Sequence, residues 1–167
     1  MKAKAVFLDR DGVLNVDVAY LYKTEELQWV QEAPEALAYL TGHGYKLFVV
    51  TNQSGIARGY YTVADMQKLH AYMQQQLAAF HTGIEKFYYC PHHKDGKVAE
   101  FAVDCSCRKP KPGMLLQAMN EYAIDKEQSF LIGDSPRDIE AAQAAGIRGY
   151  LFQGGSLLEF VKNIVEG

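Results

Sequence analysis

Two aspartates, Asp9 and Asp11, stand one residue apart directly behind the apolar run Ala5-Val6-Phe7-Leu8, and Gly12 follows them. The run reads as a short buried strand, and open parallel sheets bind ligands at the carboxyl ends of their strands. One carboxylate can then hold a metal and attack a substrate while the other leans over the same point. A solvated turn uses the same residue types. A second run, Lys46 to Val50, ends in Thr51-Asn52 before Gln53-Ser54-Gly55. There a hydroxyl and free backbone N–H groups can meet an anion. Lys109 sits in a basic turn, and Asp134 follows the run Ser129-Phe130-Leu131-Ile132-Gly133. Each polar motif falls where a strand ends, so Asp9, Asp11, Thr51, Lys109 and Asp134 can converge on one crevice. Carboxylates for Mg²⁺, a nucleophile, a hydroxyl and a cation for phosphate suit phosphoryl transfer.

A second cluster carries different chemistry. Cys90-Pro91-His92-His93 is followed, after twelve residues counted from His92, by Cys105-Ser106-Cys107. Cys90, His92, Cys105 and Cys107 make a Cys₃His set suited to tetrahedral Zn²⁺, and four protein ligands leave no position open for chemistry. The expected role is structural: the ion staples a loop too polar to order itself. His93 is the alternative to His92. Arg108 and Lys109 come directly after the last cysteine, so a zinc-anchored loop would hold them in place.

The elements that must position these residues alternate in type. Strands are expected at Ala5–Leu8, Lys46–Thr51, Lys86–Tyr89, Ser129–Ile132 and Gly149–Phe152. Helices are expected from Pro34 to Leu40, from Thr62 through a stripe of Met66, Leu69, Met73, Leu77 and Phe80, from Pro112 to Tyr122, from Asp138 to Ala145, and from Ser156 to Val165. Thr62 and Asp65 resemble a capping box. His70 and His81 read as ordinary helix-surface or helix-end residues. The aromatic loop from Asn15 to Glu32 follows the first strand; it could close over a ligand, although Trp29 reads as packing the loop down. The alternation implies an α/β fold, a doubly wound parallel sheet in a single domain of residues 1–167.

Composition narrows the class. The 167 residues are 49% hydrophobic and 22% charged, with a formal net charge of −3. That balance describes a globular domain and speaks against nucleic acid as a partner. The basic start, Met1 to Lys4, precedes too few apolar residues for a signal peptide, and no run reaches transmembrane length. The expectation is a cytoplasmic monomer with no membrane partner, and three cysteines in a reducing compartment argue against disulfides.

Asp9-Arg10-Asp11-Gly12, Thr51-Asn52, Lys109-Pro110, and Gly133-Asp134 with Asp138 resemble the motifs of the haloacid dehalogenase superfamily of phosphatases. Ser54-Gly55-Ile56-Ala57-Arg58-Gly59 and the cysteine cluster are similar to its small, cap-less members with a zinc loop. The resemblance implies Asp9 as nucleophile, Asp11 as acid and base, and Thr51 and Lys109 on the phosphoryl oxygens. It implies Mg²⁺ on Asp9, Asp134 and the Asp11 carbonyl, with Asp138 orienting its neighbours. Asp17, Val18, Ala19, Tyr20, Asn52, Gln53, Ser54 and Arg108 would contact a small phosphorylated sugar. The implied reaction is removal of the C7 phosphate of a heptose 1,7-bisphosphate, with histidinol phosphate or another small sugar phosphate as the alternative substrate and a non-catalytic zinc-stabilised binding domain as the remote alternative. The chain departs from the pattern at Val13, where many members have Thr, at Val18 and Ala19, where they have His-Gly, and at Ser135, where a lysine touches substrate. Arg137 could reach the space that lysine would fill.

Overall fold

The structure is a computed structural model describing residues 2–167; Met1, part of the basic start, lies outside the described residues. Strands β1 (Ala5–Leu8), β2 (Lys46–Asn52), β3 (Lys86–Cys90), β4 (Phe130–Gly133) and β5 (Arg148–Leu151) form one sheet, ordered β3-β2-β1-β4-β5. Every neighbouring pair is parallel. Helices α1 (Ala33–Gly42), α2 (Val63–Ala78), α3 (Gly113–Glu121), α4 (Pro136–Ala145) and α5 (Leu157–Glu166) cover both faces. Among the described residues, no helix is long and apolar enough to cross a membrane.

The core follows from strand alternation. Val6 and Leu8 of β1 join Leu47, Val49 and Ile132 on one face, against Leu37 of α1, Leu69 of α2 and Val161 of α5. Ala5 and Phe7 point the other way, with Phe48, Val50 and Leu131, onto Met114 of α3 and Ala141 of α4. All four β1 residues are fully buried, and burying each Leu or Phe contributes about 1.5–3 kcal/mol. From central β1 the chain winds outward to β2 and β3, then returns to β4 on the other side. The carboxyl ends of β1 and β4 therefore part at the switch point, where doubly wound sheets hold ligands.

Local chemistry sets the helix boundaries. Thr62 Oγ1 accepts from Asp65 N (3.1 Å) and Asp65 Oδ2 accepts from Thr62 N (3.0 Å), closing the expected capping box. Met66, Leu69, Met73 and Leu77 are fully buried, but Phe80 lies past the end of α2 and is 40% exposed, so it is not part of the core stripe. Helix α4 starts at Pro136, two residues before the expected Asp138. Ser135 is its N-cap, and Asp138 Oδ2 accepts from Ser135 N at 3.2 Å. His81 sits in the turn after α2, as expected for a helix-end residue.

His70 corrects the sequence reading. It is buried, with only 6% exposure, and its ring stacks on Phe87 at 4.1 Å between centroids. Position 70 is four residues beyond Met66 and three before Met73, so it shares their buried face. Burial, aided by the charge of Arg10, lowers the His70 pKa from 6.5 to about 3. Below pH 6.5 the unfolded chain takes up a proton that the fold refuses, so this contribution to stability is lost as pH falls from 6.5 toward 3. Urea unfolding should therefore show a larger loss between pH 7 and pH 5 for wild type than for His70→Gln; equal losses would contradict the burial of a neutral imidazole.

Candidate active site

The site begins with a buried ammonium. Lys109 Nζ lies 2.5 Å from Asp138 Oδ1 and 3.1 Å from Asp9 Oδ1, and donates to Val50 O at 3.0 Å. All three of its protons have acceptors, as a buried ammonium requires. Burial alone would push the Lys109 pKa down, but Asp9 and Asp138 outweigh it and the value rises. Asp9 is pushed well up by burial, against the opposing pull of Lys109. Asn52 holds the Lys109 backbone from β2, its Oδ1 accepting from Lys109 N (3.0 Å) and its Nδ2 donating to Lys109 O (3.3 Å).

Asp134 stands across from Asp9 at the end of β4. Asp9, Asp134 and Asp138 each offer a carboxylate oxygen within 4.8 Å of the others. Asp138 is already committed, with Oδ1 on Lys109 and Oδ2 accepting from the Asp134 and Ser135 N–H groups (3.1 and 3.2 Å). Asp9 and Asp134 remain as the hard oxygen pair, and burial raises the pKa of both. A dication suits such a pair, and the backbone makes room for it. Gly12 has φ +90°, and a Cβ there would lie 2.0 Å from Asp134 Oδ2. These residues fit Mg²⁺.

The Asp11 carboxylate is held on both oxygens. Arg10 reaches Oδ1 with Nε (3.2 Å) and Nη2 (3.0 Å), and Oδ2 with Nη2 (3.2 Å). Asn15 Nδ2 donates to Oδ1 (3.0 Å) and Gln53 Nε2 to Oδ2 (3.2 Å). Gln53 also donates to Thr51 Oγ1 (2.9 Å) and accepts from the Tyr61 hydroxyl.

Asp9, Asp11, Lys109, Asp134 and Asp138 line one cavity of about 430 Å³. Asp17, Ala19, Tyr20, Asn52, Gln53, Ser54 and Arg108 also line it. Two expected residues do not: Thr51 is buried behind Gln53, and Val18 points away, 50% exposed. Asn52 and Gln53 reach the wall but use their amides inside the protein. Ser135, Arg137, Arg58 and Tyr61 line the cavity as well. Ser135 faces it as a helix cap, and Arg137 lines the wall beside it. Val13 is fully buried, so an apolar side chain fits there. Ala19 has φ +56°, a backbone that favours glycine. Arg58 Nε and Arg108 Nη1 are buried and have no partner among the described residues. The Arg58 guanidinium meets His93 Nε2 at 3.3 Å, and Arg108 is close enough, after burial, to help depress the His93 pKa.

The zinc ligands meet as spaced. One donor atom from each of Cys90, His92, Cys105 and Cys107 lies within 4.8 Å of the others. Cys90 Sγ is 3.4 Å from Cys105 Sγ and 2.8 Å from Cys107 Sγ, and His92 Nδ1 is 3.4 Å from Cys107 Sγ. This S₃N set fits Zn²⁺. His93 is not in the set, being engaged with Arg58. The loop is tied back to the turn carrying Arg58, since Lys97 N and Val98 N both donate to Ala57 O (2.8 and 2.9 Å). Metal analysis of protein purified without chelator should find about one zinc per chain. Its removal should lower activity by releasing Arg108 and Lys109; full activity and stability without zinc would contradict the staple.

Comparison with known proteins agrees with this geometry. A family model described as HAD-hydrolase-like matches residues 106–158. The D-glycero-beta-D-manno-heptose-1,7-bisphosphate 7-phosphatase of Pasteurella multocida is 48% identical over 87% of this chain and 78% of its own. The D-glycero-alpha-D-manno-heptose-1,7-bisphosphate 7-phosphatase of Photorhabdus laumondii is 43% identical over 92% of this chain and 85% of its own. The crystal structure of D,D-heptose 1,7-bisphosphate phosphatase from B. bronchiseptica, complexed with magnesium and phosphate, superposes with a TM-score of 0.80 at 34% identity, over 98% of this chain and 87% of that one. With its motifs at the switch point of a doubly wound sheet and relatives of this identity and coverage, the chain belongs to the HAD-like phosphatases, in the heptose-bisphosphate 7-phosphatase family.

Proposed function

We propose that the chain hydrolyses the C7 phosphate of D-glycero-D-manno-heptose 1,7-bisphosphate through an aspartyl-phosphate on Asp9. The observation that carries this reading is the pairing within one cavity. Asp9 lies at the end of β1, Lys109 reaches it from the loop after β3, and Arg58 and Arg108 each bring a buried N–H unpartnered among the described residues. Buried guanidinium N–H groups without acceptors are costly, and an anion satisfies them. A substrate with two phosphates places one at Asp9 and the other at the arginines. The names of the relatives support the substrate, and they include both anomers.

Asp9 attacks phosphorus as the bond to the sugar oxygen breaks, and Asp11 gives that oxygen a proton. Water then attacks the phosphorus, Asp11 takes its proton, and the Asp9–phosphorus bond breaks, restoring the Asp9 carboxylate and the protonated Asp11. Lys109, 3.1 Å from Asp9, offsets charge on the phosphoryl group, while Thr51, behind Gln53, acts by holding the Gln53 amide. Asp9, Asp134 and the Asp11 carbonyl would hold Mg²⁺, which supplies charge neutralisation between carboxylate and phosphate. Asp138 orients Lys109 and the β4–α4 turn. Asp17, Ala19, Tyr20 and Ser54 form the wall facing the sugar. On this reading the enzyme is a single-domain cytoplasmic monomer acting on a small phosphorylated sugar.

Asp9→Asn should reduce turnover to background, since it removes the attacking oxygen. Arg58→Ala and Arg108→Ala should each lower kcat/KM for the bisphosphate about 10- to 100-fold, the worth of one charged hydrogen bond, and change monophosphate hydrolysis little. The panel is both heptose bisphosphate anomers, the heptose monophosphates and histidinol phosphate. If histidinol phosphate is turned over best, the heptose assignment is wrong.

A further inference from the structure

The guanidinium of Arg10 is fully buried, and it grips the acid–base carboxylate. Its contacts close a chain across the fold. Nε and Nη2 bond Asp11, Nη2 also donates to Leu21 O at 2.9 Å, and Nη1 meets His70 Nε2 at 3.2 Å. An arginine offers no acceptor, so His70 must be the acceptor in this pair. Its Nε2 then carries no proton, and the ring proton sits on Nδ1. Phe87 of β3 stacks on the ring at 4.1 Å and fixes its plane. The lowered His70 pKa agrees with a neutral ring.

We propose that His70 is a positioning residue for Asp11, acting through Arg10. Helix α2 contributes no residue to the cavity wall, yet through His70 it orients the group that moves the proton. Without the Nε2 acceptor, a buried guanidinium N–H is left unpaired and the side chain turns to find another partner. The Nη2–Asp11 bonds turn with it, and the carboxylate loses its aim at the leaving oxygen. Asn15 and Gln53 still donate to Asp11, so the loss is partial.

This rests on Asp11 being the acid–base group, and the test separates the two claims. His70→Leu, His70→Gln and Asp11→Asn are compared with wild type on a sugar phosphate and on p-nitrophenyl phosphate. The nitrophenolate leaves without needing a proton, so misplaced acid catalysis harms it less. His70→Leu should lower kcat/KM for the sugar phosphate by about tenfold or more, with a clearly smaller loss on p-nitrophenyl phosphate. The loss should fall on kcat rather than KM. His70→Gln, whose Oε1 can accept from Arg10, should recover most of it. Equal losses on both substrates, or no recovery in His70→Gln, would overturn the proposal while leaving the site assignment intact. Activity surviving in Asp11→Asn would overturn the assignment itself. Nitrogen-15 NMR of the wild-type imidazole needs no variant to fold: an unprotonated Nε2 is expected at pH 7, and a protonated one would refute the acceptor role.

Discussion

A charge placed out of water must be matched, and the ammonium of Lys109 is where this chain meets that demand. Its three partners come from three places: Asp9 behind β1, Val50 O in β2, and Asp138 in the first turn of α4. Removing either carboxylate breaks a buried ion pair, which costs on the order of 3–5 kcal/mol, and leaves one N–H of the ammonium unpaired. One interaction therefore aligns Asp9, the central strands and the turn that presents Asp134. The same contacts leave Asp9 Oδ1 facing a cation, so on the proposed mechanism its carboxylate is oriented before substrate arrives.

Lys109 itself comes from a loop with little apolar surface of its own. Two devices hold it there. The Cys₃His cluster gathers both ends of the loop, from Cys90 to Cys107, and the Asn52 side chain clamps the Lys109 backbone at both N–H and C=O. The loop gathered by the Cys₃His cluster does for the Lys109 ammonium what a helix or strand does elsewhere. Because Arg108 lies between Cys107 and Lys109, it is fixed by the same anchors and can present a rigid guanidinium to a second anion. Around this centre, Arg10, Asn15, Thr51, Gln53, His70, Lys109 and Asp138 are all buried polar residues. They form a polar network that an apolar core would not tolerate unless nearly every group were satisfied.

Much of this was legible in the chain. The five strands and five helices follow from apolar periodicity and turn residues, and the parallel, doubly wound sheet follows from their alternation, whereas the strand order β3-β2-β1-β4-β5 needed the structure. Asp9, Asp11 and Asp134 announced themselves as polar residues at strand ends, Lys109 as a basic residue directly behind the last cysteine, and the metal-ligating set as spaced thiolates with a histidine. Other features needed three dimensions. His70 looked like a surface residue because a histidine was taken as polar; its place among Met66, Leu69 and Met73 was the available signal that it was buried. Arg58 and Tyr61 belong to a turn after β2, and nothing local shows that this turn folds over the cavity. Asn52 and Gln53 are implied as substrate contacts by the family resemblance, yet their amides hold Lys109 and Asp11, partners distant in sequence. Ser135 looked like a missing lysine, although its spacing to Asp138 is that of a helix cap.

The central claim is that Asp9, pre-oriented by Lys109, forms a covalent bond to phosphorus. Its most direct test is rapid acid quench of the enzyme during turnover with Mg²⁺, followed by mass spectrometric mapping of the peptides. The account predicts phosphate on Asp9, accumulating in Asp11→Asn if any substrate is consumed at all. Turnover with phosphate on no aspartate, or on Asp134 in place of Asp9, would contradict it.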